Sequence, residues 1–222
     1  HPDIRYKPNG EPIDTFEMDD YGRLWPSKVR FPSAKNGNGF KALADNVHAR
    51  GMKFGIHIMR GIPREAWWKN TPIKGTAYHA RDIAEPWDTC NWNNNMYGVD
   101  ASKPGAQEYY NSLFELYASW GVDFIKADDT MYPPYHADEI ELIKNALIKC
   151  GRPMALSLSC GEAPLSQARH VSFNSNMWRI SADFWDNWKS LKHNFDLLNA
   201  WSPFIAPGQW PDADMLPIGK LS

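Results

Sequence analysis

The sequence predicts a parallel α/β fold of the TIM-barrel type, and three observations carry that expectation. Helical and strand patterns alternate through about five units after a polar opening stretch. The apolar strands end in polar or charged clusters, at His57, Asp128, Ser159 with Glu162, Arg179 with Asp183, and Asp212 with Asp214. A barrel recruits its chemistry from the C-terminal ends of several strands. Neither a Gly-x-Gly-x-x-Gly turn nor a Gly-Lys-Ser/Thr phosphate loop is present, so nothing marks a nucleotide-binding sheet. Alternation alone leaves a doubly wound sheet open; the charged strand ends favour the barrel.

The chain's 222 residues and 43% hydrophobic content suit one large domain with a real core. Residues 1–35 read as an extended entry segment, with a short hairpin at Asp19-Asp20-Tyr21-Gly22. Asp19-Asp20 is read as a surface turn rather than a catalytic pair. Phe40, Leu43, Ala44 and Val47 then fall at helical spacing, closed by Gly51. A strand follows over 52–59. The stretch 61–103, rich in Pro, Trp and Asn, is too long for an idle connection and is expected to shape one wall of a site. Pro104 opens a helix along one face of which fall Tyr109, Leu113, Leu116 and Trp120. After the strand at 122–127 come a helix at 137–150, with Ile140, Ile143 and Leu147 inward, and a strand at 153–159. A short helix near 163–169 leads to a strand at Met177–Ile180. Trp188, Leu191, Phe195 and Leu198 mark the next helix, and Pro203–Pro207 reads as a last strand.

The chemistry concentrates in two stretches. In Val-Asp-Phe-Ile-Lys126-Ala-Asp128-Asp129 an apolar strand runs into carboxylates. Side chains alternate along a strand, so Phe124, Lys126 and Asp128 share one side. A neighbouring ammonium would keep Asp128 ionised and available as a nucleophile. In Met177–Trp188 an arginine, Arg179, precedes Asp183 by four residues, and aromatic residues surround that aspartate. Burial against them would raise its carboxyl pKa, which suits a general acid. Two carboxylates whose environments push their pKa values apart divide labour as glycoside hydrolysis requires. The aromatic content, 14% with 11 Trp, fits stacking on sugar faces, although any single Trp reads first as a core residue.

Other classes find less support. The net charge of −2, with basic residues scattered, gives no sign of nucleic acid or an anionic membrane as partner. No apolar run approaches the roughly 20 residues of a transmembrane helix. Cys90, Cys150 and Cys160 are too few and too irregular for a disulfide framework or a zinc site. A metal-dependent hydrolase using His57, Asp128, Asp129 and His136 is one rival, weakened by the absence of recognisable ligand spacing. Neither cofactor nor metal is expected. The sequence leaves location open, with a secreted or periplasmic site expected ahead of a cytoplasmic one.

Five segments together resemble one family in order: LADNVHARGMKFGIHI, WGVDFIKADD, LSLSCGE, WRISADFWDNW and GQWPDADMLPIG. The resemblance covers roughly residues 15–219 and is to glycoside hydrolase family 27, the α-galactosidases and α-N-acetylgalactosaminidases. It implies a catalytic (β/α)8 barrel, of which this chain carries about strands three to seven, and a retaining double displacement. Asp128 falls on the family's nucleophile and Asp183 on its acid/base. Lys126, Arg179, Glu162, His57 and Cys160 fall at or near sugar-binding positions, with Gly161 interrupting the pattern before Glu162 and His57 standing where a tyrosine is common. Thr130 occupies the place of a cysteine that many members pair with the one in Ser-Cys, so Cys160 is expected free. Asp212 and Asp214 fall on a motif expected to be mainly structural. The implied substrate is a terminal α-linked galactose-type residue of an oligosaccharide or glycoconjugate, with N-acetylgalactosamine or non-catalytic sugar binding as alternatives. Open sheet edges would be covered by further chain or by self-association into a homo-oligomer.

Overall fold

A computed structural model of the protein describes residues 6–12 and 16–215. In chain order the elements are α1 (Lys41–His48), β1 (Gly55–Met59), β2 (Ile62–Pro63), α2 (Arg64–Lys69), α3 (Ala80–Ile83), β3 (Ala84–Glu85), β4 (Met96–Val99), α4 (Ala106–Trp120), β5 (Phe124–Asp128), α5 (Ala137–Lys149), β6 (Ala155–Leu158), α6 (Ala168–Asn174), β7 (Met177–Arg179), α7 (Trp188–Trp201) and β8 (Trp210–Asp212). They fall into two compact units.

The first unit takes in residues up to 54, 60–123 and 142–153. Its core is aromatic. Trp120 meets Trp25 and Phe40 edge-on, at 5.2 and 5.5 Å between ring centroids. α4 buries Tyr109, Leu113 and Trp120 as its periodicity predicts, and ends at Gly121 with φ +82°, a conformation that a side chain would strain. The excursion between residues 61 and 103 is a packed structure of its own, with an antiparallel sheet in the order β2-β4-β3 and buried Ile62, Ile73, Ile83 and Val99. Asp19 and Gly22 close the expected hairpin, and the Asp19 carboxylate accepts from Arg23 Nε at 2.8 Å. The residues of the opening segment before Tyr6 and at 13–15 lie outside those described.

The second unit comprises residues 55–59, 124–141 and 154 onward. Among the described residues its sheet has five parallel strands in the order β1-β5-β6-β7-β8. That order follows the sequence without reversal. A doubly wound sheet reverses strand order at its switch point; the wall of a (β/α) barrel does not. The C-terminal ends of all five strands therefore lie along one rim.

One expectation fails here. Pro203–Pro207 is not a strand: Ser202–Phe204 forms a 3-10 turn, and the fifth strand is Trp210–Asp212. A proline-bounded apolar run reads alike in both states. Along α7, Trp188, Phe195 and Leu198 are exposed and Trp201 alone of the helix is fully packed, 5.8 Å from Trp178. Helical periodicity names a face but not whether a partner covers it.

Candidate active site

β5 buries Ile125 and Ala127 completely and leaves Phe124, Lys126 and Asp128 half-buried on the opposite face. The strand ends because Asp129 adopts φ +62°, a left-handed conformation that aspartate tolerates better than most residues. The turn aims the Asp129 amide at its predecessor: this N–H donates to Asp128 Oδ1 at 3.0 Å. Thr130 then donates both its amide and its hydroxyl to the Ser159 carbonyl, at 2.9 and 2.8 Å, with both residues fully buried. The clamp joins the ends of β5 and β6 and sets Cys160 beside Asp128. Gly161, at φ +84°, lies so near Tyr132 that an added Cβ would stand 3.1 Å from the tyrosine Cα.

β1 pairs with β5 in parallel, matching His57 to Lys126 and Met59 to Asp128. From there His57 Nε2 reaches Asp128 Oδ2 at 3.0 Å. Burial opposes the charged form of Asp128, but hydrogen bonds from His57, the Asp129 amide and the Cys160 thiol outweigh it and hold this carboxyl below its ordinary value. Burial first, then the Asp128 carboxylate, push the Cys160 thiol upward, so it stays protonated as a donor. The carboxylate is thus ionised as the sequence suggests, by a different partner. Lys126 shares its face but forms no ion pair with it among the described residues. A strand's own sequence reveals neighbours two apart; the cross-strand partner depends on register.

Asp183 follows β7, two strands away from Asp128 in the sheet. Its side chain is 70% exposed, and its partner is Arg179, whose Nη2 donates to Asp183 Oδ1 at 3.1 Å. The expected burial among aromatic residues is therefore absent: Phe184 points into the core while Trp185 and Trp188 lie open to solvent. Arg179 itself is buried, and its Nη1 lies 3.1 Å from Asp214 Oδ1. Glu162 stands apart from these groups in a half-exposed pair with His193 of α7 at 3.1 Å.

The rim of the second unit thus holds an ionised carboxylate fixed by three donors and, past β7, a solvent-facing carboxylate fixed by an arginine. One can attack an electrophile and the other can exchange protons with water and ligand. Sequence reasoning placed His57, Lys126, Asp128, Cys160, Arg179 and Asp183 on this rim. It missed His57 as the partner of Asp128, the Asp129 amide and the part taken by Asp214. A histidine ending the strand that pairs beside β5 was the available signal for the first; the amide depends on a single dihedral angle and leaves no trace in sequence.

A family model described as Alpha galactosidase A matches residues 94–222. Among curated relatives, the alpha-galactosidase of Oryza sativa subsp. japonica is 29% identical over 206 residues, covering 92% of this chain and 40% of the relative. Alpha-galactosidase A of Cellvibrio japonicus is 31% identical over 226 residues, covering 92% and 43%. Among solved structures, a GH27 β-L-arabinopyranosidase from Geobacillus stearothermophilus in complex with arabinose superposes with a TM-score of 0.91 at 54% identity, over 94% of this chain and 49% of that one. The chain therefore spans roughly two fifths to half the length of the proteins it matches.

Proposed function

Because the chain belongs to the Alpha galactosidase A family, glycoside hydrolase family 27, we propose that it supplies the catalytic carboxylates of a retaining exo-glycosidase acting on galactose-configured pyranosides. Asp128 is the nucleophile. One of its carboxylate oxygens bonds to the anomeric carbon as the bond to the leaving oxygen breaks, and Asp183 gives its proton to that oxygen. Asp183, now a carboxylate, takes a proton from water; the resulting hydroxide bonds to the anomeric carbon and releases Asp128. The observation that carries this reading is the three-donor fixation of Asp128, which holds a partly buried carboxyl in its ionised form.

The geometry sets a requirement. Strands two apart in a sheet stand about 10 Å from axis to axis, whereas retaining carboxyls lie about 5–5.5 Å apart. Asp128 and Asp183 must lean toward one another over β6. In this reading Lys126, on the face of Asp128, donates to sugar hydroxyls.

The arabinopyranosidase match, at 54% identity against 29–31% for the α-galactosidases, supports a β-L-arabinopyranoside as the glycone to try first. β-L-Arabinopyranose has the ring configuration of α-D-galactopyranose without its hydroxymethyl group, so the same carboxylates serve either sugar. The test is hydrolysis of nitrophenyl β-L-arabinopyranoside, α-galactoside and α-N-acetylgalactosaminide by the full-length protein. Turnover of the first two, retained product configuration, and a loss of about four orders of magnitude or more in Asp128→Asn with the fold intact are expected. Near-normal activity of that variant would refute the assignment.

A further inference from the structure

Asp214 is the best-connected carboxylate near Asp183, and the double displacement has no use for it. It follows β8 in a left-handed conformation at φ +70°, and its amide donates to Asp212 Oδ1 at 2.9 Å. Its two oxygens have separate tasks. Oδ1 lies 3.1 Å from Arg179 Nη1, and Oδ2 accepts from the Phe184 amide at 2.7 Å. The first contact holds the arginine that holds Asp183. The second holds the backbone of the residue following Asp183. The exposed aspartate is thus flanked on both sides by groups that one carboxylate, 10% exposed, holds in place.

Arg179 makes the grip consequential. It is 3% exposed, and a buried guanidinium needs compensating charge. Nη2 donates to Asp183 Oδ1, Nη1 faces Asp214, and Nε is buried without a partner among the described residues. The guanidinium therefore has two anchors, one of which is the residue it must orient. Asp183 has no other partner among those described, so its Oδ2 is left without a hydrogen bond among them.

We propose that Asp214 is a positioning residue for proton transfer: by fixing Arg179 and the Phe184 amide, it aims Asp183 Oδ2 at the leaving oxygen. This rests on the assignment of Asp183 as acid/base. It requires no contact between Asp214 and substrate, and it goes beyond a structural role for the strand end.

The discriminating measurement is the dependence of kcat/KM on the leaving group. Protonation matters when the leaving oxygen is basic and scarcely at all when it departs as a stabilised anion. Asp214→Ala removes both contacts; Asp214→Asn keeps an acceptor for the Phe184 amide and drops the charge facing Arg179. Parent and variants of the full-length enzyme, checked for folding by circular dichroism and thermal melts, are assayed on methyl or disaccharide glycosides and on 2,4-dinitrophenyl glycosides of the same sugar. The expected result is a loss of about 10²-fold on the poor leaving groups and less than about threefold on dinitrophenolate, with the smaller loss for asparagine. An equal fall on both substrate classes would show a merely structural role and overturn the proposal, as would no fall in either variant. Should the alanine variant not fold, the asparagine variant decides by the same comparison. A parent inert toward every glycoside would sink the glycosidase reading and this role with it, whereas an active parent with flat variant profiles would sink this role alone.

Discussion

The behaviour of Asp128 depends on His57. Burial disfavours the Asp128 carboxylate, and the imidazole hydrogen bond leads the contributions that reverse this. Replacing His57 by alanine removes that bond, so the carboxyl pKa rises. A carboxyl depressed in the folded enzyme stays ionised to lower pH, so the acidic limb of the kcat/KM profile should move upward in His57→Ala while turnover at neutral pH falls about 10- to 100-fold. An unmoved acidic limb would mean that another group sets it. The aspartate was legible in the sequence as charge at the end of an apolar strand. Its partner was assigned to Lys126 because the sequence shows only intrastrand neighbours, whereas the pairing of His57 with Lys126 across β1 and β5 is a matter of register. Asp183 was found from its spacing to Arg179, but its surroundings were misjudged: Trp185 and Trp188 are near in sequence and turned to solvent.

At the level of elements, the entry into β5 is fixed by Asp123, whose side chain is 10% exposed. Its Oδ2 accepts from the Phe54 amide at 2.9 Å and pairs with His48 at 2.6 Å, while Oδ1 accepts from Arg152 Nη2 at 2.8 Å. Burial acts to raise the carboxyl pKa, yet these partners bring it to about 2, below the ordinary 3.8. A depressed carboxyl stabilises the fold in full above its unfolded value and loses that contribution as pH falls through the folded one. Asp123→Asn should therefore cost about 2 kcal/mol in urea unfolding at pH 7, and the gap to the parent should narrow as pH approaches 2. A gap independent of pH would count against the charge as its source. Helices with strong periodicity, α4 and α5, lie where the sequence put them. The 3-10 turn at Ser202–Phe204 does not, because proline permits either reading.

For the molecule as a whole, the alternation of helix and strand and the charged strand ends were legible, and the ordered sheet β1-β5-β6-β7-β8 bears out the barrel wall. Hydrophobic periodicity could not say which faces find partners, and α7 with its exposed Trp188 and Phe195 is the instance. Nor could it reveal the network of Arg179, Asp183 and Asp214, which joins residues 35 positions apart along the chain. Trapping of the covalent intermediate tests the central claim most directly. The full-length protein is incubated with activated 2-deoxy-2-fluoro derivatives of L-arabinopyranose and galactose, digested, and sequenced by tandem mass spectrometry. The account predicts a fluoroglycosyl label on the peptide containing Lys126–Thr130, attached to Asp128. Attachment to any other carboxylate, or an unlabelled enzyme that releases product of inverted configuration, would contradict it.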